Sequence, residues 1–216
     1  HGTVSHIPCE QFSYDINDES ITVNLKLYDA ALFSHKLMLE RKYICGMNDD
    51  ILIIRDKVTN IGSKQTPYMI LYHCNFGYPL LCEKSRLEIN STGVAPRDAH
   101  AEEGIAEWNK ILTPQADFTE QCYYHTFSEK PRVSLSNPEI KTEMTMTFSD
   151  KSLDCFTQWK MMGEYEYVMG LEPGNCLPDG RDVMREKGIL KFLAPGESAE
   201  NEIRFEFKKL KKAAVN

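Results

Sequence analysis

The feature that most constrains this fold is a hydrophobic alternation with a period of two residues. Residues 21–28 read ITVNLKLY, so the isoleucine, valine and leucines share one face while the polar side chains take the other. Successive side chains of a strand point to opposite faces, so the pattern predicts a half-buried β-strand. Residues 37–44 repeat it. Residues 51–58 are apolar on both faces, which predicts an inner strand.

Similar short runs, separated by Gly, Pro, Asn and Asp, continue along the chain, and only one short segment favours a helix. The further predicted strands are residues 66–72, 86–89, 121–127, 141–148, 152–161, 165–171, 189–193 and 201–207, and the helix is 98–108. About ten strands without a sustained helical period predict an all-β, antiparallel sandwich or barrel. No linker divides the 216 residues, so we expect a single domain over 1–216.

The charge of the chain excludes some classes of partner. Its formal net charge is −7, whereas a nucleic-acid-binding protein needs a basic face, so we expect no nucleic-acid partner. The one basic cluster, residues 208–212, lies at the C-terminus, where we predict a flexible basic tail over 207–216. The sequence contains neither an apolar run of membrane-spanning length nor a signal-peptide pattern, so we expect no membrane contact.

The cysteines and histidines do not indicate a bound metal or cofactor. Seven cysteines, an odd number without a C-x-x-C pair, favour reduced thiols and a cytoplasmic protein over a disulfide framework or a zinc site. The six histidines are scattered, and the sequence has no P-loop, dinucleotide fingerprint or G-x-S-x-G elbow. We therefore predict no cofactor.

Two polar side chains follow the predicted strand 66–72. If the strand continues, His73 and Asn75 point the same way and Cys74 points opposite. An imidazole and a carboxamide side by side are typical of a small polar site. The structural alternative is a strand end at which the two side chains only satisfy each other's hydrogen bonds.

A second candidate lies at the end of the strand 165–171. Gly170 and Glu172 share a face, so the missing side chain of Gly170 leaves room beside the carboxylate. We expect Pro173 and Gly174 to end the strand and hold Glu172 at the rim of a sheet; the alternative is a solvated glutamate in a turn. His73 and Glu172 are thus the candidate acid–base pair.

Three weaker candidates complete the set. Gln158 and Lys160 share a face of one strand, where they would either contact sugar oxygens or pack at an amphipathic edge. The pair Arg97 and Asp98 follows a proline, and Asp98 would either cap the helix 98–108 or contact a ligand. The third is His1, which is followed by glycine; a motif of two residues is too short to interpret alone.

Several of these motifs, in the same order, resemble the aldose 1-epimerase (galactose mutarotase) superfamily. They are the stretch VTNIGSKQTPYMILYHCNF ending at residue 76, NFGYPLL from Asn75, PRDA from residue 96, EQ at residue 120, WKMMGE from residue 159 and GLEPGN from Gly170. The match is most specific to an uncharacterised aldose-1-epimerase-like branch. The His-Gly pair at the N-terminus would match the motif that carries the superfamily's second active-site histidine.

The resemblance implies a β-supersandwich that binds a small-molecule carbohydrate. It implies that His73 is the general acid and Glu172 the general base, that His1 assists at the sugar ring, and that Asn75, Gln158 and Lys160 lie around it, with Arg97 and Asp98 nearby. Superfamily members carry further strands before the His-Gly motif, so a preceding segment or companion chain is expected to complete the first sheet. Mutarotation is the implied reaction. The alternatives are a non-catalytic carbohydrate-binding or sensing protein, and an isomerase or lyase acting on a ketose or modified sugar.

Overall fold

The computed structural model describes residues 2–210, and its regular structure is almost entirely β-strand. The strands are β1 (Gln11–Ile16), β2 (Ser20–Ala30), β3 (Lys36–Gly46), β4 (Ile51–Asn60), β5 (Thr66–Tyr68), β6 (Asn75–Phe76), β7 (Arg86–Ile89), β8 (Gly93–Pro96), β9 (Gln121–Thr126), β10 (Arg132–Asn137), β11 (Thr142–Phe148), β12 (Cys155–Gly163), β13 (Glu166–Gly174), β14 (Lys191–Leu193) and β15 (Ser198–Lys209). The helices are α1 (Ala99–Glu103) and α2 (Arg181–Glu186), with 3-10 turns at Val4–His6 and Ile105–Glu107.

The strands form two large antiparallel sheets. The larger has the order β1-β2-β3-β4-β15-β11-β10-β7, the second has the order β6-β13-β12-β9-β8, and β14 pairs with β5 in a small third sheet. The inner position of β4, between β3 and β15, is the position expected from its two apolar faces. The all-β antiparallel architecture predicted from the alternation is confirmed.

The main core fills the space between the two large sheets. The second sheet contributes the side chains of Phe156 and Met162 from β12 and of Met169 and Leu171 from β13. The facing strands β10, β11 and β15 contribute fully or almost fully buried residues: Val133, Leu135, Met144, Met146, Phe148, Ile203 and Phe205. Because side chains alternate along a strand, the residues between these core positions point to the outer face of the second sheet.

The predicted strand 66–72 is shorter than expected, because β5 ends at Tyr68. Beyond it the side chain of Asn175 takes over the hydrogen bonds that a neighbouring strand would make. Its Oδ1 accepts from the Ile70 amide at 2.7 Å, and its Nδ2 donates to the Tyr68 carbonyl at 3.2 Å. His73 therefore lies on a loop between β5 and β6, rather than in a continuous strand.

β13 ends at Gly174, as expected, but Pro173 and Gly174 both belong to the strand and do not stop it directly after Glu172. Proline lacks an amide hydrogen and is tolerated where no strand partner needs one. The Leu171 amide donates to the Cys74 carbonyl, so the nitrogen of Pro173, two residues later, faces the same loop between β5 and β6. Pro173 cannot donate a hydrogen bond to this loop, but its carbonyl accepts one from the Tyr72 amide at 2.9 Å. Glu172 consequently lies within the sheet rather than at its rim.

The C-terminal part of the chain also differs from the expectation. The predicted tail 207–216 is wrong for its first residues, because β15 extends to Lys209 and its residues 207–209 pair with β11. The remainder from 211 lies outside the described residues. The predicted helix 98–108 is broken at Gly104 into α1 and a 3-10 turn. Within residues 2–210, no helix is both long and apolar enough to cross a membrane.

Candidate functional site

The candidate site lies on the outer face of the second sheet, where the strand register brings distant residues together. Glu172 of β13 stands opposite Thr157 of β12. Gly170 stands between Trp159 on one side and Asn75 of β6 on the other. Directly opposed residues of an antiparallel pair point to the same face, so all five positions share the outer face.

His73 reaches this face from the loop before β6. Its Nδ1 lies 2.8 Å from Asn75 Oδ1 and 3.2 Å from Glu172 Oε1. A carboxamide oxygen only accepts hydrogen bonds, so Nδ1 carries a hydrogen and donates it to Asn75. The imidazole also packs edge-on against the Trp159 indole, with ring centroids 5.5 Å apart and planes at 72°. The structure therefore brings together His73, Asn75 and Glu172, as the sequence predicted.

Glu172 is a buried carboxyl group with an incomplete hydrogen-bond shell. Its residue surface is 3% exposed, and burial raises its pKa to about 7, with a smaller contribution from the negative charge of Glu120. His73 Nδ1 approaches Oε1 to 3.2 Å without hydrogen-bond alignment, so among residues 2–210 this buried oxygen has no hydrogen-bond partner. Such unsatisfied groups are uncommon and are found at functional sites.

The absence of a side chain at Gly170 makes room for this carboxyl. A Cβ atom built at that position would lie 2.4 Å from Glu172 Oε1 and 3.0 Å from Trp159 Cβ. The first distance is shorter than packed atoms allow, and the second is tighter than most contacts of a Cβ atom. A side chain at position 170 would therefore displace the Glu172 carboxyl, which agrees with the space that the sequence pattern indicated.

Arg97 and Asp98 lie at the far side of the same face and are already paired. Arg97 Nε donates to Asp98 Oδ2 at 2.8 Å, and its Nη2 lies 3.0 Å from Glu120 Oε1. Asp98 Oδ1 accepts from the Ala101 amide at 2.9 Å, so this residue caps α1. That backbone bond and the Arg97 contact lower the pKa of Asp98. Of the two roles considered for Asp98, the structure displays the helix cap.

Gln158 and Lys160 do not join the site, because they point to the core side of β12. Gln158 is fully buried; its Nε2 donates to the Trp108 carbonyl at 2.8 Å and its Oε1 accepts from His125 Nε2 at 3.1 Å. Lys160 Nζ donates to the Glu107 carbonyl at 3.1 Å, and burial lowers its pKa to about 8. These expected sugar contacts are therefore wrong: both residues tie the segment after α1 to the sheet.

Sequence reasoning missed three residues of the outer face: Thr157, Trp159 and Glu120. The first two alternate with Gln158 and Lys160, but the sequence does not say which face of β12 meets Glu172. That choice depends on the register between β12 and β13. Glu120 belonged to the EQ motif of the family resemblance, but that motif did not assign it a place in the site.

The remaining predictions concern His1 and bound metals. His1 lies outside the described residues. Among residues 2–210, no group of three or more His, Cys, Asp or Glu side chains is arranged to hold a metal ion.

A groove of about 950 Å³ lies elsewhere, over β1–β4 and β15. Its charged side chains include three ion pairs with nitrogen–oxygen distances of 2.6–3.1 Å: Lys26–Glu40, Arg41–Asp56 and Arg55–Glu202. Charges that neutralise each other give little reason to bind a ligand there. The candidate site is therefore at Glu172, where a buried carboxyl with a pKa of about 7 lies 3.2 Å from an imidazole.

Comparison with known proteins places the chain among sugar-epimerase folds. A family model described as "domain of unknown function (DUF4432)" matches residues 1–207, and no curated protein matches the chain. A candidate aldose 1-epimerase from Klebsiella pneumoniae superposes with a TM-score of 0.89 at 21% identity, covering 95% of this chain and 56% of its own. Galactose 1-epimerase from Lactobacillus acidophilus superposes with a TM-score of 0.67 at 16% identity, covering 93% and 67%.

At these identities the structural matches establish the fold alone, and they confirm the galactose mutarotase-like β-sandwich expected from the resemblance. The match to DUF4432 agrees with an uncharacterised branch. This chain spans a little over half the length of the Klebsiella protein.

Proposed function

This chain belongs to the DUF4432 family of domains of unknown function, and from its site we propose that it interconverts the anomers of a sugar by acid–base catalysis. The observation that carries the proposal is the contact between His73 and Glu172. A carboxyl group with a pKa of about 7 lies 3.2 Å from an imidazole, on the outer face of a sheet. A general base is most effective when its pKa is close to the working pH.

The proposed reaction opens the sugar ring by two proton transfers, one from the anomeric hydroxyl and one to the ring oxygen. Glu172 takes the proton of the anomeric hydroxyl, while His73 gives a proton to the ring oxygen as its bond to the anomeric carbon breaks. The open-chain sugar then has a free carbonyl. Rotation about the adjacent carbon–carbon bond and ring closure on the other face, with both proton transfers reversed, give the second anomer. The protons lost and gained balance, so the reaction needs no other reactant.

The exposure of the two groups fits these roles. The His73 side chain is 34% exposed, so a sugar from solvent reaches the imidazole, whereas the Glu172 side chain is 3% exposed and covered by it. Shielding from water raises the pKa of Glu172 to about 7, so near neutral pH an ionised carboxylate is available to take the proton of a substrate hydroxyl. The unpartnered Oε1 would gain its hydrogen bond from the sugar.

We expect His73→Asn and Glu172→Gln each to lower kcat/KM for anomer exchange by about 10²–10⁴-fold, the usual contribution of one proton-transfer group. Exchange would be measured by NMR on a panel of aldoses, ketoses and sugar phosphates. The exposed pair His100 and Glu103 of α1, 3.7 Å apart, allows the same two changes as controls. His100→Asn and Glu103→Gln should leave exchange unchanged.

The outcomes separate the candidate functions. Exchange that survives both site substitutions would exclude the assigned roles. If the wild-type chain exchanges no sugar in the panel but binds one, the carbohydrate-binding alternative replaces catalysis. A ketose converted to a different product would indicate an isomerase or lyase.

A further inference from the structure

Glu120 joins two parts of the outer face. Its Oε2 accepts a hydrogen bond from Trp159 Nε1 at 2.5 Å, and its Oε1 lies 3.0 Å from Arg97 Nη2. The side chain is 41% exposed, but both carboxylate oxygens are engaged by groups that fix its orientation. A charge-assisted hydrogen bond to an indole N–H is among the stronger side-chain contacts.

Trp159, held by Glu120, in turn contacts His73, the candidate acid. Its indole faces His73 edge-on, with ring centroids 5.5 Å apart. Trp159 stands opposite Gly170 in the sheet, and a Cβ atom at Gly170 would come within 3.0 Å of Trp159 Cβ. The indole itself contacts both Glu120 and His73, so its position links the carboxylate to the imidazole.

The charge of Glu120 also acts on Glu172. After burial, it is the contribution that raises the pKa of Glu172. The other titratable groups around this carboxyl are His73, 3.2 Å away, and the thiols of Cys74 and Cys122, each of which is influenced by the Glu172 charge. Burial raises the pKa of both thiols to about 12, so they are uncharged near neutral pH.

We propose that Glu120 is a positioning residue of this site, which holds the Trp159 indole against His73 and carries a second negative charge on the same face of the sheet as Glu172. Only the effect of Glu120 on catalysis rests on the proposed function. Its effects on the position of Trp159 and on the protonation of Glu172 do not require that the chain bind or convert a sugar.

The test compares Glu120→Gln with the surface control Glu103→Gln. Glutamine keeps an oxygen that accepts from Trp159 but removes the charge. We expect the carbon-13 NMR titration midpoint of the Glu172 carboxyl to move to lower pH in Glu120→Gln and to stay unchanged in Glu103→Gln. If the chain catalyses anomer exchange, the acidic limb of its kcat/KM profile should move the same way.

A second variant separates orientation from charge. Trp159→Phe removes the indole N–H but leaves Glu120 charged, so the Glu172 midpoint should remain near 7 while the His73 ring resonances shift. If the Glu172 midpoint is the same in Glu120→Gln and wild type, the proposal is wrong. A shifted midpoint in a chain without anomer exchange would retain the positioning role and remove the proposed function.

Discussion

Burial has a larger influence on Glu172 than any neighbouring charge, and this links the candidate base to stability. The pKa of the folded chain's Glu172 is about 7, against an ordinary value of 4.5. Between these pH values the folded chain binds a proton that the unfolded chain has released. Stability contributed by protonation is therefore lost as the pH rises through this window. A charged Glu172 costs on the order of 3 kcal/mol above pH 7.

We therefore predict that the free energy of unfolding of wild type falls, relative to Glu172→Gln, between pH 5 and pH 8. The relative loss should be as much as about 3 kcal/mol, because glutamine carries no titrating charge. Urea unfolding at the two pH values measures it. The comparison cancels the other titrating groups, and Glu103→Gln, at an exposed site, should show no such difference. A constant offset between wild type and Glu172→Gln would contradict the raised pKa.

The sequence predicted part of this residue's environment. The i, i+2 spacing placed Gly170 and Glu172 on one face, and the structure shows the carboxyl in the space that a Cβ atom would occupy. The burial of Glu172 could not be predicted, because it depends on a loop about 100 positions earlier in the chain. That loop covers the carboxyl only after β6 pairs with β13.

Among the elements, β12 shows that the alternation of side chains was predicted correctly, whereas the face of the strand that meets the site was not. Gln158 and Lys160 do share a face, as predicted, but that face meets the core beside Phe156 and Met162. Polar side chains are rarely buried there unless hydrogen bonds satisfy them, and these bonds run to a segment remote in sequence. Single-strand patterns do not contain that information.

The buried hydrogen bonds of Gln158 predict a structural role for this residue. Gln158→Leu should lower the free energy of unfolding by about 2–4 kcal/mol, because it leaves His125 Nε2 and the Trp108 carbonyl unsatisfied. Burial lowers the pKa of His125 to about 4, so the imidazole stays neutral and does not gain a charge in compensation. Urea unfolding measures the loss.

Gln65→Leu is the matched control for Gln158→Leu, because Gln65 is exposed, and its effect should be within about 0.5 kcal/mol. The titration of Glu172 should be the same in both variants, since Gln158 faces the other side of β12. If Gln158→Leu keeps the stability of wild type but no longer binds sugar, the structural role is wrong and Gln158 belongs to the binding site.

At the level of the whole molecule, the alternation predicted the antiparallel class but not the sheet order. β4 pairs with β15 about 150 residues later, and β13 pairs with β6 about 95 residues earlier. Such pairings are set by the complete core, and a short motif does not specify them. The short strands β1 and β10 and the helix α2 were missed as well; β1 is exposed along its whole length and, in the part of the chain that the structure describes, pairs only with β2, whereas β10 buries Val133 and Leu135 in the core.

The larger sheet is connected to the candidate site by an ion pair that binds the residue before His73. Asp56 of β4 is 3% exposed and binds Arg41 of β3 through both carboxylate oxygens, at 2.8 and 2.6 Å. Tyr72 donates its hydroxyl to Asp56 Oδ2 at 2.7 Å, and the Arg41 guanidinium lies 5.5 Å from the centre of its ring. Tyr72 immediately precedes His73. The loop that carries the candidate acid is thus attached to the opposite sheet.

We predict that Tyr72→Phe lowers both stability and anomer exchange. It removes one hydrogen bond to a charged group, worth about 1.5–3 kcal/mol, while keeping the ring and its contact with Arg41. With the loop less firmly held, kcat should fall and the amide hydrogens around His73 should exchange faster with deuterium. Tyr43→Phe is the control, because its hydroxyl accepts from the same Arg41 at 3.3 Å but does not hold the loop. Equal loss of kcat in both variants would show that the ion pair, rather than the tyrosine anchor, positions His73.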